Sequence, residues 1–249
     1  MTKNNKILSG DRKWSSYLFE FIIVFASLYL TFELENYGEY QNNREKEKLY
    51  LASLERDLDK DVNQLNRRIV DYDDKIEKAY QLLEKIEGGF QRNSDSITYF
   101  YRQALQYNFL YNPINNTFES LKSSGDLKLV INPKFKILLS ELDKSYKATL
   151  ASGHTYEGFI NSDQWIGFLS LNFDQTQGQL TPLGTSAYVS IRFHNLISHV
   201  IKLLEEYQYS VQGTLKKTLE VQTVLKEEMT RRSIPTLQNG EDIENQELF

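Results

Sequence analysis

The chain contains no cysteine, only four prolines, three histidines and two methionines, and each scarcity removes a class of protein. Without cysteine there is no disulfide framework, no thiolate zinc or iron-sulfur site and no cysteine nucleophile. An excess of positive charge is also missing: 29 basic against 34 acidic side chains give a net charge of −5 over 249 residues. A general nucleic-acid binder would show a basic stripe, so no nucleic-acid partner is expected. Neither a glycine-rich phosphate loop nor a Gly-x-Ser-x-Gly elbow occurs, and no cofactor is expected. What the chain does have is one apolar run, set in a sequence whose mean hydropathy is only −0.51.

That run, WSSYLFEFIIVFASLYLTF over residues 14–32, holds Glu20 as its single carboxylate. With Leu34 it can span about 30 Å as a helix, which predicts a transmembrane segment over residues 14–34. A cleavable signal peptide is the competing reading, disfavoured by Glu20 inside the apolar stretch and by the continuation past Ala26. Lys3, Lys6, Arg12 and Lys13 precede the span, while Glu33, Glu35 and Glu39 follow it. By the positive-inside rule the tail 1–13 is cytoplasmic and the rest lies outside, in the periplasm of a bacterial inner membrane. At 100° per residue, Ser16, Glu20, Ser27 and Thr31 fall within a sector of about 60°. A carboxylate in hydrocarbon costs at least about 2.5 kcal/mol on insertion scales and so needs a partner. The stripe is therefore expected to contact a second copy of the chain or another membrane protein; a carboxylate near the headgroups and an ion pathway are the alternatives.

Beyond the span, Leu51, Leu54, Leu58, Val62, Leu65, Ile69, Tyr72, Ile76, Ala79, Leu83 and Ile86 recur with a mean spacing of about 3.5 residues, the period of a coiled-coil or bundle helix. No proline or glycine interrupts residues 39–87, and Gly88-Gly89 supplies a stop. A second periodic stretch runs through Tyr188, Leu196, Val200, Leu203, Tyr207, Val211, Leu215, Val221, Leu225 and Met229 before Pro235. The predicted fold class is all-α: a first arm helix over 37–87, an aromatic-rich helical head over 88–184, an antiparallel return helix over 185–232 and a polar tail over 233–249. Within the head, Ser94 or Asp95 is expected to cap a helix reaching Tyr111, Asn116 or Thr117 to cap a short turn closed by Gly125, and Asn132 to cap a helix with Pro133 at its first position.

Three further groups invite a chemical reading. Asp57, Asp59 and Asp61 imitate a calcium loop, but Val62 stands where glycine is needed and Arg68 where a bidentate Glu is needed. They read as a solvated helical face, and no metal is expected. His194 and His199 are five apart, off the shared face that zinc ligands need. Glu119, Ser120, Lys122, Ser123 and Ser124 form a candidate binding surface in which a serine-lysine pair is conceivable, although a capped turn explains the same residues. No catalytic residue is expected.

Glu20 in the span, the exit Glu35-Asn36-Tyr37-Gly38-Glu39, and the segment Phe118-Glu119-Ser120-Leu121-Lys122-Ser123-Ser124-Gly125 form a pattern. In these residues the chain resembles the DUF6090 family of single-pass bacterial membrane proteins, common in Bacteroidetes. Phe19 stands where the family has glycine, and Tyr37-Gly38 where it has Trp-Asn. The family carries no established activity, so the resemblance implies architecture alone. The sequence points to a membrane-anchored scaffold or interaction subunit of an envelope complex, with a ligand-sensing head or an ion-pathway subunit built on Glu20 as alternatives; a small-molecule ligand cannot be named.

Overall fold

The computed structural model describes residues 11–88, 90–106, 110–175, 180–183 and 187–235. Lys3 and Lys6, Gly89, Tyr107, Phe109, Thr185 and the tail beyond residue 235 lie outside the described residues. Among the described residues the protein is all-α, apart from one two-residue ladder. Its elements are α1 (Asp11–Glu87), α2 (Phe90–Tyr101) continuing into a π-helical turn (Arg102–Gln106), α3 (Asn116–Ser123), a 3₁₀ turn (Asp126–Leu129), α4 (Pro133–Ile160), α5 (Asp163–Asn172), β1 (Phe173–Asp174), β2 (Thr181–Pro182) and α6 (Ala187–Arg231). β1 pairs antiparallel with β2, Phe173 opposite Pro182. The chain divides into two compact units, residues 1–49 and 50–249.

Residues of the first unit from 16 to 42 are exposed on every side of α1. Trp14 is 80% and Leu34 72% accessible, and none of the apolar window is buried. This is one helix long and apolar enough to cross a membrane.

The second unit is built on a seven-residue recurrence. On α1, Leu51, Leu58, Leu65, Tyr72, Ala79 and Ile86 are all buried, each seven residues from the next. α6 repeats the device with Phe193, Val200, Tyr207, Thr214, Val221 and Glu228, and α4 with Phe135, Leu142, Thr149 and Tyr156. A seven-residue period keeps one face of a 3.6-residue helix turned toward its neighbour. Cross-helix bonds set the directions. Glu87 meets His194, Tyr80 meets Glu205, Asp73 meets Gln208 and Asp59 meets Gln222, so this part of α1 runs antiparallel to α6. Asn132 reaches Glu228, Glu141 reaches Lys217 and Ser145 reaches Thr214, so α4 is antiparallel to α6 as well.

Local signals explain three helix ends. Asn132 Oδ1 accepts from the amides of Lys134 (2.9 Å) and Phe135 (3.3 Å), with Pro133 at the first helical position, where its missing N–H costs nothing. Ser162 Oγ caps α5 by accepting from Trp165 N at 3.2 Å. α6 closes with a Schellman pair, Ile234 N to Met229 O and Ser233 N to Thr230 O, with Ser233 at φ 54°. Two expected caps are corrected. α2 begins at Phe90, which places Ser94 and Asp95 inside it, and the helix gives way to the π-helical turn; Tyr111 lies in an irregular segment over residues 110–115. α3 starts after Asn115, which makes no side-chain cap; the amide of Thr117 is instead capped by Asp57 Oδ2 of α1 at 2.8 Å. A carboxylate from a neighbouring helix has replaced the local hydroxyl or amide.

Candidate functional site

Three places carry polar groups that the fold does not require for helix formation alone. The first is the stripe on α1. Ser16, Glu20, Ser27 and Thr31 are all exposed. Ser27 Oγ donates to Ile23 O (2.8 Å) and Thr31 Oγ1 to Ser27 O (2.9 Å), bonds that satisfy the hydroxyls within their own helix. Phe21 and Phe25 pack ring against ring at 4.5 Å on another side. Two hydroxyls of the stripe are thus bonded back onto their own helix, beside one carboxylate.

The second is the turn over residues 119–124. Lys122 Nζ is ion-paired with Glu119 (2.9 Å) and Asp143 (3.4 Å), and its ammonium lies 5.1 Å from the centre of the Phe118 ring. The hydrogen bond to Glu119 holds the ammonium above its ordinary range, so Lys122 is poorly suited to accept a proton from a serine. Ser123 Oγ donates to Ser120 O, and Ser124 Oγ accepts from Asp126 N. Gly125 at φ 74° then turns the chain into the 3₁₀ turn, a conformation that a Cβ would strain. The hydroxyls of Ser123 and Ser124 thus serve the turn itself.

The third was not foreseen. A second seven-residue line on α1 runs Leu54, Asp61, Arg68, Lys75, Leu82, and its three middle members are ionisable. The apolar residues one position later, Ile69, Ile76 and Leu83, which the sequence assigns to the seam, only flank the core. Asp61 is fully buried, which overturns the solvated-face reading. Its Oδ1 accepts from Tyr111 Oη (2.7 Å) and Ile114 N (3.1 Å), and its Oδ2 from Tyr146 Oη (2.9 Å) and Thr218 Oγ1 (3.4 Å). Four donors from the 110–114 segment, α4 and α6 meet on one carboxylate of α1. Burial raises the Asp61 pKa and these four hydrogen bonds oppose the rise. Burial and the neighbouring Asp61 push the phenols of Tyr111 and Tyr146 far up, which keeps both as donors.

The polar layer continues away from Asp61. Thr214 Oγ1 lies 2.7 Å from Ser145 Oγ and 2.8 Å from Thr149 Oγ1, and Tyr111 N donates to Tyr207 Oη at 2.7 Å. Gly153 makes room for the Tyr207 ring: a Cβ there would sit 3.0 Å from Cε2. Asp57, Asp59 and Asp61 are therefore a helix cap, a link to Gln222 and a core hub. The signal that could have revealed the hub was strict: counting sevens from Leu54 to Leu82 lands on Asp61, Arg68 and Lys75.

His194 pairs with Glu87 at 2.9 Å, and His199 packs edge-on against Phe159. Among the described residues no group of three or more His, Asp or Glu could hold a metal ion. Comparison with known protein families, with curated proteins and with solved structures finds no match.

Proposed function

We propose that this chain is a single-pass, membrane-anchored scaffold or interaction subunit of a bacterial envelope complex, without catalysis of its own. The observation that carries the reading is the contrast in α1: residues 16–34 are apolar and wholly exposed, whereas the seam from Leu51 to Ile86 is buried in a helical unit. An apolar surface of that size has no stable place in water and fits a bilayer. The basic flank before residue 14 supports a cytoplasmic N-terminus in an inner membrane, with the helical unit of residues 50–249 on the periplasmic side. In this reading the pair of long antiparallel helices forms arms of coiled-coil type, and Trp165, Phe168 and Phe173 of the distal head pack against Phe193 of the return helix. The resemblance to the DUF6090 family, carried by Glu20 and by the residues from Phe118 to Gly125, supports the same architecture.

The partner surface within the membrane is the stripe of Ser16, Glu20, Ser27 and Thr31, set against a second copy or another membrane helix. Back-bonded hydroxyls let two helices approach closely, and a carboxylate in hydrocarbon needs a donor from across the contact. The absence of native cysteine makes a clean test possible. Ser27→Cys and Thr31→Cys variants, oxidised in native membranes, should form covalent dimers or a defined heterologous adduct, and Leu28→Cys should not. Equal crosslinking from all three positions would show that the stripe is not an interface. Extraction of the chain by alkaline carbonate, which leaves spanning proteins in the bilayer, would remove the anchor reading itself.

A further inference from the structure

Glu20 is the most exacting group on the exposed part of α1. Among the described residues its carboxylate meets no hydrogen-bond donor. Ser27 and Thr31, on the same stripe, have committed their hydroxyl hydrogens to Ile23 O and Ser27 O. No lysine, arginine, histidine, asparagine or glutamine occurs between Lys13 and Asn36. On the reading of residues 14–34 as a membrane span, which this inference rests on, Glu20 lies about 9 Å inside Trp14, and a carboxylate at that depth calls for a partner. A second copy of the chain is a poor source of one. Copies insert with the same end inward, so two of them meet in parallel, and a two-fold contact sets each residue against its equivalent. Glu20 would then face Glu20, two like charges in a low dielectric that must share a proton to close. At that level Ser16 and Tyr17 add only neutral hydroxyls, and Lys13 stands about 10 Å along the axis toward the cytoplasm.

We infer that the stripe receives a helix of a different membrane protein, one that carries a lysine or arginine at the depth of Glu20 and small side chains opposite Ser27 and Thr31. The charges are complementary where those of a second copy are not. A lysine or arginine in a membrane helix keeps its charged end toward the nearer headgroups. The Glu20 carboxylate reaches the same way, because every Cα–Cβ bond of an α-helix tilts toward its N-terminus. The two groups therefore meet on the cytoplasmic side of the Glu20 Cα. Farther along, Ser27 and Thr31 stand one turn apart with their hydroxyls folded onto the backbone, so a partner with small residues there can approach closely.

The test uses a charge-reversed copy of the chain as the probe. Donor-labelled wild type is mixed with acceptor-labelled full-length partners in phosphatidylcholine vesicles at pH 7.5, each dye on one introduced cysteine. Wild type with Glu20→Lys should show energy transfer at a protein-to-lipid ratio at least about tenfold lower than wild type with itself or with Glu20→Leu. Glu20→Gln, an uncharged donor, should pair with the wild type at an intermediate ratio, which keeps the comparison decisive if Glu20→Lys fails to insert. In native membranes a photo-crosslinking residue in place of Ile23 should give an adduct that holds only one of two differently tagged copies and that Glu20→Leu abolishes. The inference is overturned, with the stripe kept as an interface, if the wild type pairs with itself as tightly as with Glu20→Lys, or if one adduct holds both tags. A shared proton would then show as self-association that strengthens when the pH is lowered to 5.5. Inserted chains in which neither donor variant pairs with the wild type would overturn the inference and the stripe together. Extraction of the wild type by alkaline carbonate would instead remove the span beneath both.

Discussion

Residues 14–34 and residues 50–235 solve opposite problems with the same helical backbone. In the first region the apolar side chains point outward, and the hydroxyls of Ser27 and Thr31 turn back onto their own carbonyls. In the second the apolar lines of α1, α4 and α6 point inward, and the most demanding polar group, Asp61, sits at the centre among four donors. The difference teaches how solvent sets the rule. A polar group in hydrocarbon is satisfied locally or by another helix, whereas a core surrounded by water can admit a carboxylate once the chain itself supplies donors. α1 carries an outward and then an inward apolar pattern, so hydropathy averaged along it describes neither region.

The comparison breaks most visibly at Asp61. Asp61→Leu leaves the hydroxyls of Tyr111 and Tyr146 and the amide of Ile114 buried without an acceptor, and unfolding in urea should show a loss of about 3–5 kcal/mol. Asp61→Asn keeps the shape and one acceptor oxygen, and the phenols can rotate to donate or accept, so its loss should stay below about 2 kcal/mol. The raised pKa gives this pair a pH signature. Because the folded carboxyl is harder to ionise than the unfolded one, its contribution is fully present below the ordinary carboxyl pKa of 3.8 and is lost as pH rises through the folded value. The wild type should therefore lose ground to Asp61→Asn as pH rises from 3 toward neutrality. Equal tolerance of Leu and Asn would mean that the hub is ornamental.

The next effect tests packing in α4. Gly153→Ala meets the Tyr207 ring at 3.0 Å, and that ring is fixed by the bond from Tyr111 N and by its edge contact with Tyr72 at 4.9 Å. A loss of about 1–3 kcal/mol is expected despite the better helix propensity of alanine. Gly158→Ala, in the same helix with nothing within 4 Å, should gain up to about 1 kcal/mol. The two substitutions are chemically identical, so opposite signs in thermal unfolding would isolate the close approach. The same sign for both would show that Tyr207 can move.

Much of the fold was legible because periodicity is a one-dimensional signal. The all-α class, the apolar segment, the buried positions Leu51, Leu54, Leu58, Leu65, Tyr72, Ala79 and Ile86 and the Asn132-Pro133 start of α4 follow from spacing and cap chemistry, whereas Val62 of the same expected seam is only half-buried. The polar core was not legible by the same route. A hydropathy pattern moves to Ile69 and Ile76 when Arg68 and Lys75 carry the inward line, since it scores side chains rather than angles, and between Leu82 and Leu83 it has nothing to choose by. The cap of α3 was missed for a related reason: Asp57 is sixty residues from Thr117, and a long-range cap leaves no local trace. Of the candidate site residues, Lys122 and Ser123 could be read as chemistry only until their partners in the turn were visible.

In the apolar segment of α1 the expected effect is smaller and has two signs. Glu20→Leu removes a carboxylate from an apolar helix, so insertion should improve, while association through the stripe should weaken by about 0.6–2 kcal/mol. Sedimentation or energy transfer in bilayers should show the chain inserted and helical with a reduced oligomer or complex fraction. The double change Ser27→Leu and Thr31→Leu should act the same way more weakly. Unchanged association in both variants would return Glu20 to the headgroup region and leave the helical unit as the sole interaction surface.

The smallest effect sharpens the picture of the inward polar line. Lys75 is buried, and desolvation of its ammonium, aided by Arg68 and opposed by Asp71, lowers its pKa from 10.5 to about 8. A folded pKa below the unfolded one means that the contribution to stability is present above the unfolded value and is lost as pH falls through the folded value. Between pH 7 and 9 the folded chain sheds this proton while the unfolded chain keeps it, which should add about 1 kcal/mol to the wild type. The raised tyrosines lie outside that window, because their unfolded counterparts titrate near 10. In Lys75→Met the rise should vanish, so the difference between the two unfolding free energies should narrow or widen steadily with pH in favour of the wild type. Parallel curves from pH 7 to 9 would place the Lys75 ammonium in contact with water, and the inward polar line would then end at Arg68.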